Sequence, residues 1–281
     1  MRNARNGGCS DHACRAYTTR AERDAAAIEW LLEGVELGQR LLAITHDDDA
    51  GAGLRDAFAD AAGAELAREA AHVRVDEFYD LSAPVDIDAQ RSRYSNEVAR
   101  AVADGFNGVR VFCDITALLT NAARRSGHAR WEHAADAWMA AGNPLALLCA
   151  YDVGVLGDQA LAVMALHPLR HGPNSAVTQF GLHCGPSGRV LEGEIDAFSA
   201  PVLAEALTVL PAGSVDIDAS ELGFLCARAA VTVAQAGQGD ADGPSLRLLG
   251  ARPVVRRVWE ILELDPEMLP RPCATDASVC A

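Results

Sequence analysis

Four side chains in the first part of the sequence could hold a metal ion or a haem iron: His12, Cys14, Cys149 and His167. Imidazole and thiolate are good ligands for zinc and iron, so His12 and Cys14, met by Cys149 or His167, would build a redox or metal centre. The same residues have a plainer reading, a histidine with a satisfied hydrogen bond beside a buried thiol. His167 precedes Pro168, and a residue before proline leaves the α region, so it also reads as a helix end. A second set of candidates is polar: His46, Asp47 and Asp48; Asp114 and Thr116; Tyr151 and Asp152. Each group follows an apolar run, where an aspartate commonly caps the next helix. Tyr151 stands apart, because a ring with a polar tip suits a mostly apolar ligand pocket.

Enzyme chemistry finds little support. There is no G-x-S-x-G, no C-x-x-C, and no cysteine in a recognised nucleophile context. A phosphate-binding loop needs glycines, a lysine and a Ser/Thr. The turn after LLAIT, taken as the first strand, is HDDDAGAGL, whose three aspartates repel a triphosphate, and the chain contains no lysine at all. Nucleotide hydrolysis is therefore not expected. The formal net charge is −15, which repels nucleic acid and favours solubility or a basic protein partner. The N-terminus lacks an apolar stretch behind its arginines, and the most apolar region is broken by Asp152 and Asp158. Together these predict a cytoplasmic chain with no membrane span. In that compartment the eight cysteines are expected to be reduced thiols.

Elements that position these residues alternate from Thr19 onward. Thr19 and Glu22 form a capping box ahead of a helical stripe through Ala25, Ile28, Leu31, Leu32 and Val35. LLAIT, VRVDEFYD, GVRVFCDI and PLALLCAYD read as strands, and Ser92–Asp104 reads as a helix. Apolar runs ending in aspartate are typical of parallel strands covered on both faces, so the fold class is α/β, an open, mostly parallel sheet with helices on both faces. In such sheets ligands bind beyond the strands' carboxyl ends, which predicts a ligand site among His46, Asp47, Asp114, Tyr151 and Asp152, with His12 as a further ligand-binding candidate. The Pro/Gly-rich stretch HPLRHGPNSA reads as a linker between a domain at 11–170 and a second at 175–266, with a disordered tail at 270–281. The second domain opens with a hairpin around GPSG. A helix follows from Ser199, then strand SVDID, helix AAVTVAQA, strand SLRLLG and a last helix from Pro253 with Val254, Val255, Val258, Ile261 and Leu262 inward.

The blocks LEGEIDAFSAPVLAEAL, VDIDASELGFL and RLLGARPVVRRVWEILELD occur in the order found in STAS domains, and residues 175–266 resemble that family of anti-sigma-factor antagonists. The family's signalling turn carries a serine that an anti-sigma kinase phosphorylates. Asp218, Ser220, Leu222, Phe224 and Leu225 keep its framework, but Cys226 replaces an aspartate, Ala227 the phosphoacceptor and Arg228 a second serine. The resemblance thus implies docking to a regulatory protein, of anti-sigma type, through Cys226, Ala227 and Arg228 without phosphorylation. The pieces DHACRAY, WLLEGVELGQ, VRVFCDI and CAYD, with His167-Pro168 behind them, resemble the MEDS sensory domain over residues 11–170. That resemblance implies a degenerate RecA-like frame sensing a small, often hydrophobic compound. The combined reading is a non-enzymatic signalling regulator needing no cofactor; the alternative is a haem or zinc protein using His12 and Cys14. Whether it forms a homo-oligomer is open at this level.

Overall fold

The structure is a computed structural model, described here for residues 11–172, 177–185, 188–238 and 244–268. The tail expected at 270–281, part of the GPSG turn and positions 173–176 lie outside the described residues. The chain forms two compact units. The first takes the residues up to Ala160 and adds Leu169–Val177; the second takes Leu161–Pro168 and the residues from Thr178.

In the first unit the elements run β1 (His12–Tyr17), α1 (Arg20–Glu36), β2 (Arg40–Thr45), α2 (Asp48–Ala62), α3 (Ala64–Glu69) and β3 (Ala71–Arg74). Then come α4 (Val75–Phe78), α5 (Ile87–Ala103), β4 (Val109–Asp114), α6 (Thr116–Leu119), α7 (Ala122–Ala140), β5 (Leu145–Asp152), α8 (Val153–Leu156) and β6 (Leu169–His171). The six strands form one all-parallel sheet in the order β3-β2-β4-β5-β1-β6. The capping box at α1 is present: Glu22 N donates to Thr19 Oγ1 at 3.2 Å, and Thr19 N donates back to Glu22 Oε2 at 3.3 Å.

Four expectations change. HACRAY is a strand, so LLAIT is the second strand and not the first, and the turn after the true first strand is Thr18-Thr19. That turn has no glycine to let phosphates approach the backbone. VRVDEFYD divides, because only its start belongs to β3; Val75–Phe78 turns into α4, burying Val75 and Phe78. The helix read from Ser92 begins at Ile87, capped by Asp86, whose carboxylate accepts from Ala89 N at 3.0 Å. Part of the stretch read as linker is sheet, since Leu169 pairs with Ala13.

The second unit contains α9 (Leu161–Met164), β7 (Phe180–Gly185), β8 (Gly188–Ile195), α10 (Ala200–Leu207), β9 (Gly213–Asp218), β10 (Leu222–Leu225), α11 (Ala227–Gly237), β11 (Pro244–Leu249) and α12 (Pro253–Ile261). Its five-stranded sheet is mixed: β8 pairs antiparallel with β7 and parallel with β9 and β10, and β11 runs parallel to β9. The expected hairpin is β7–β8. Gly193, in the G-E-I-D stretch, has φ +86, and a Cβ there would sit 2.1 Å from the Gln179 carbonyl oxygen. Only glycine fits that crossing. Ser199 precedes α10 but makes no side-chain cap; Asp196 accepts from the Phe198 and Ser199 amides instead, at 3.0 and 2.7 Å. The inward stripe of α12 is narrower than expected, Val255 and Trp259 at i, i+4, while Val254 and Ile261 are 46% and 64% exposed. Among the described residues no helix is long and apolar enough to cross a membrane.

Candidate functional site

Successive residues of a strand face opposite sides of a sheet. On β1 and β5 this separates two chemistries. Ala13 and Tyr17, with Ala146, Leu148 and Ala150, face α1 and join Trp30, Leu31 and Phe112 in a hydrophobic cluster. The other face carries His12 and Cys14 from β1, Cys113 from β4, and Cys149 and Tyr151 from β5, all buried. The register sets Cys149 beside both Cys14 and Cys113.

Helix α7 covers that second face. Its N-cap is Asn121, whose side chain accepts from the Ala123 and Arg124 amides at 2.9 and 3.2 Å. Four-residue spacing puts His128, Glu132 and Asp136 on one stripe of this helix, and all three are buried. Beside the stripe, Gly127 lets the helix pack closely on the Pro84–Val85 segment, for a Cβ there would lie 2.8 Å from the Val85 backbone nitrogen. Aromatic rings line the rest of the layer. Tyr94 stacks on Trp131 with centroids 5.5 Å apart, Tyr79 and Tyr94 share a hydroxyl hydrogen bond of 2.9 Å, and Tyr79 meets His128 edge-on at 6.1 Å.

His12 is held from both sides. Its Nε2 is 2.9 Å from Glu132 Oε2 and its Nδ1 is 3.3 Å from Asp136 Oδ1. Burial alone would depress this imidazole's pKa, but the hydrogen bonds to Asp136 and Glu132 outweigh it and hold the group up at about 9. The Cys149 thiol donates to Glu132 Oε1 at 3.4 Å. Burial, reinforced by Glu132, pushes that thiol well above its ordinary pKa. His128 Nε2 also lies against Glu132 Oε1, without the geometry of a hydrogen bond. Glu132 is thus the hub of a buried cluster of two imidazoles, two carboxylates and a thiol. Such a cluster can hold an ion or hold a proton, and both are uncommon in a protein core.

Of the residues singled out from sequence, His12 and Tyr151 belong to this layer, and burial raises the Tyr151 phenol well above its usual range. Cys14 lies on the same face, pushed up to about 12 by burial, and stands outside the close set of ligand atoms. His167 falls in the second unit, where its Nδ1 is 3.1 Å from the Val163 carbonyl. Asp114 is a buried hub at the end of β4. It accepts from the Tyr17 hydroxyl at 2.8 Å and the Thr116 hydroxyl at 2.7 Å, with Arg23 at 3.6 Å. Thr116 Oγ1 accepts in turn from Asp152 N at 3.0 Å, and Asp152 caps α8. Asp47 caps α2 by accepting from Ala50 N at 2.7 Å, and His46 beside it is exposed. Hydrogen bonds thus link Asp114, Thr116 and Asp152, while His46 and Asp47 follow β2, the strand paired with β4. Glu132, Asp136 and His128 were not foreseen; the available signal was their four-residue spacing between Ala129, Trp131 and Ala135.

In the second unit, α11 starts at Ala227 directly after β10. Cys226 is its N-cap, its sulfur accepting from Ala229 N at 3.4 Å, and Ala227 and Arg228 are exposed in the first turn.

The sequence model of one family, MEDS (methanogen/methylotroph, DcmR sensory domain), matches residues 11–168, more than half of the chain. No curated protein and no solved structure matches.

Proposed function

The chain belongs to the MEDS family, and from that premise we propose that it is a non-enzymatic signalling regulator with a sensory first unit and a protein-docking second unit. The family match across residues 11–168 is the observation that carries the reading. The first unit registers a small molecule, and its signal passes to a STAS-like second unit that binds a regulatory protein of anti-sigma type. Several features support the second half of this reading. The order hairpin, helix, parallel strands, helix, strand, helix agrees with the blocks that resemble a STAS domain. The glycine of G-E-I-D has a backbone reason to be there, and the signalling turn presents Ala227 and Arg228 at a helix start. Alanine at the acceptor position has no oxygen for a phosphoryl group, so docking is set by the first unit and not by a kinase. Absence of enzymatic turnover is supported by the Thr18-Thr19 turn and the lack of lysine.

The test is hydrogen exchange on the full chain against a panel of small apolar compounds, with an anti-sigma factor of the same cell as second ligand. A compound should slow exchange in the first unit, and the anti-sigma factor should protect the start of α11, an effect lost in Arg228→Glu. Exchange unchanged by every compound would remove the sensory half. Protection by the anti-sigma factor elsewhere, indifferent to Arg228→Glu, would remove the docking half.

A further inference from the structure

We propose that the layer between the first unit's sheet and α7 is a site for one divalent transition-metal ion of the zinc class, ligated by His12 Nε2, the Glu132 carboxylate and the Cys149 thiolate. Ligand atoms of these three residues all lie within 4.8 Å of one another. Within the set, His12 Nε2 and Glu132 Oε2 are 2.9 Å apart, and Cys149 Sγ and Glu132 Oε1 are 3.4 Å apart. An ion bound at about 2.0–2.3 Å from each donor needs ligand separations of this order. Imidazole, thiolate and carboxylate together suit zinc and its neighbours, whereas calcium and magnesium take oxygen alone.

The surroundings have the form of a metal site's outer shell. A histidine that ligates through one nitrogen usually donates its other N–H to a carboxylate, which fixes the tautomer. Asp136, 3.3 Å from His12 Nδ1, is placed for that and leaves Nε2 aimed at Glu132. The second observation is His128. It is fully buried, it lies against Glu132, and its ring nitrogens make no hydrogen bond. His128 thus shares the Glu132 carboxylate with His12 and lines the buried layer beside the three ligands. Energetics point the same way. Two carboxylates brought out of water beside packed aromatic rings cost more than an apolar layer of the same volume, and a dication among them offsets that cost. Cys149, from the neighbouring strand, thus takes the thiolate role that the His-x-Cys pattern suggested for Cys14.

This inference does not rest on the sensory reading. The test uses untagged full-length protein, stripped with a chelator, then equilibrated with Zn2+ or Co2+ and assayed by elemental analysis and absorption spectroscopy. We expect one ion per chain and, with Co2+, a thiolate charge-transfer band. Cys149→Ser should abolish that band and Glu132→Gln the stoichiometric binding. Asp136→Asn should weaken affinity about 10–100-fold, and His46→Asn should leave binding unchanged. Where a variant fails to fold by circular dichroism, the wild-type Co2+ spectrum still reports the thiolate. Folded wild-type protein that takes up no stoichiometric metal would overturn the proposal, as would binding in Glu132→Gln and Cys149→Ser equal to wild type. Either result leaves the small-molecule exchange experiment to stand or fall alone.

Discussion

The two faces of the first unit's sheet are made from the same strands and are built oppositely. Toward α1 and α2 the strands turn alanine, leucine, tyrosine and phenylalanine into a hydrophobic cluster. Two buried arginines enter that side, each with a carboxylate partner: Arg110, stacked 3.6 Å above the Trp30 ring, donates to the Trp30 carbonyl at 2.7 Å and pairs with Glu33, and Arg23 of α1 lies 3.6 Å from Asp114. Toward α7 the same strands contribute His12, Cys14, Cys113, Cys149 and Tyr151, and the helix answers with His128, Glu132 and Asp136. The first face is what stability asks of a core. The second is more polar than stability asks, and an interior that departs from the local rules in one place is where function is to be sought.

Breaking the polar face at its hub should have the largest effect. Glu132→Ala strands His12 and His128 without their shared carboxylate, and losing one partner of a buried ionic cluster costs about 3–5 kcal/mol. Urea unfolding of metal-free protein measures it; a loss under about 1 kcal/mol would mean the carboxylate contributes nothing to the fold. On the apolar face, Leu31→Ala leaves a cavity worth about 2–5 kcal/mol. It should do so with metal content unchanged, which separates the two faces by function and not by stability. Replacing His12, His128, Glu132 and Asp136 together by leucine sharpens the contrast further. Removing a whole buried polar cluster is commonly neutral or stabilising by about 1–4 kcal/mol, so this variant should unfold no earlier than wild type while binding no metal. A variant that unfolds much earlier would show that the cluster is retained for stability. At the sheet's rim, Asp47→Ala removes an N-cap and should cost about 0.5–2 kcal/mol without touching metal content. A metal deficit there would instead tie the strand-end loops to the α7 layer.

The α1 face was legible from sequence because its signals are local. LLAIT and PLALLCAYD are unbroken apolar runs, and Thr19 with Glu22 marks the helix start. The α7 face was hidden for three physical reasons. HACRAY alternates small, polar and aromatic residues and has no β-branched side chain, so nothing in it reads as a strand until β5 and β6 pair with it. Helix α7 carries histidine, glutamate and aspartate on its buried stripe, which inverts the usual apolar pattern and leaves no clear period. Contacts such as His12 to Glu132 join residues 120 positions apart, and no spacing rule anticipates them. In the second unit the elements were legible in order, yet the inward side of α12 was not. A nine-residue helix seats only Val255 and Trp259, and Val254 and Ile261 fall on its flanks.

The smallest predicted effect compares two histidines of the same sheet. His12 lies between two carboxylates that hold its proton on. His72, on the edge strand β3, has none; both of its ring nitrogens are buried without a hydrogen-bond partner. Burial, with the nearby Arg55 guanidinium adding to it, lowers His72 to about 4. The folded protein therefore keeps this imidazole neutral over a range where the unfolded chain, with its ordinary value of about 6.5, takes up a proton. Its contribution to stability is fully present above pH 6.5 and is lost as the pH falls from there toward 4. His72→Gln cannot take up that proton in either state, so its urea midpoint should fall less than the wild-type midpoint between pH 7 and pH 5. His72 is only half buried and solvent screens part of the effect, so the difference should be small beside those above. Equal acid sensitivity in the two proteins would mean that the unfolded chain gains nothing by protonating His72. Burial without a counter-charge would then not be what separates the two histidines.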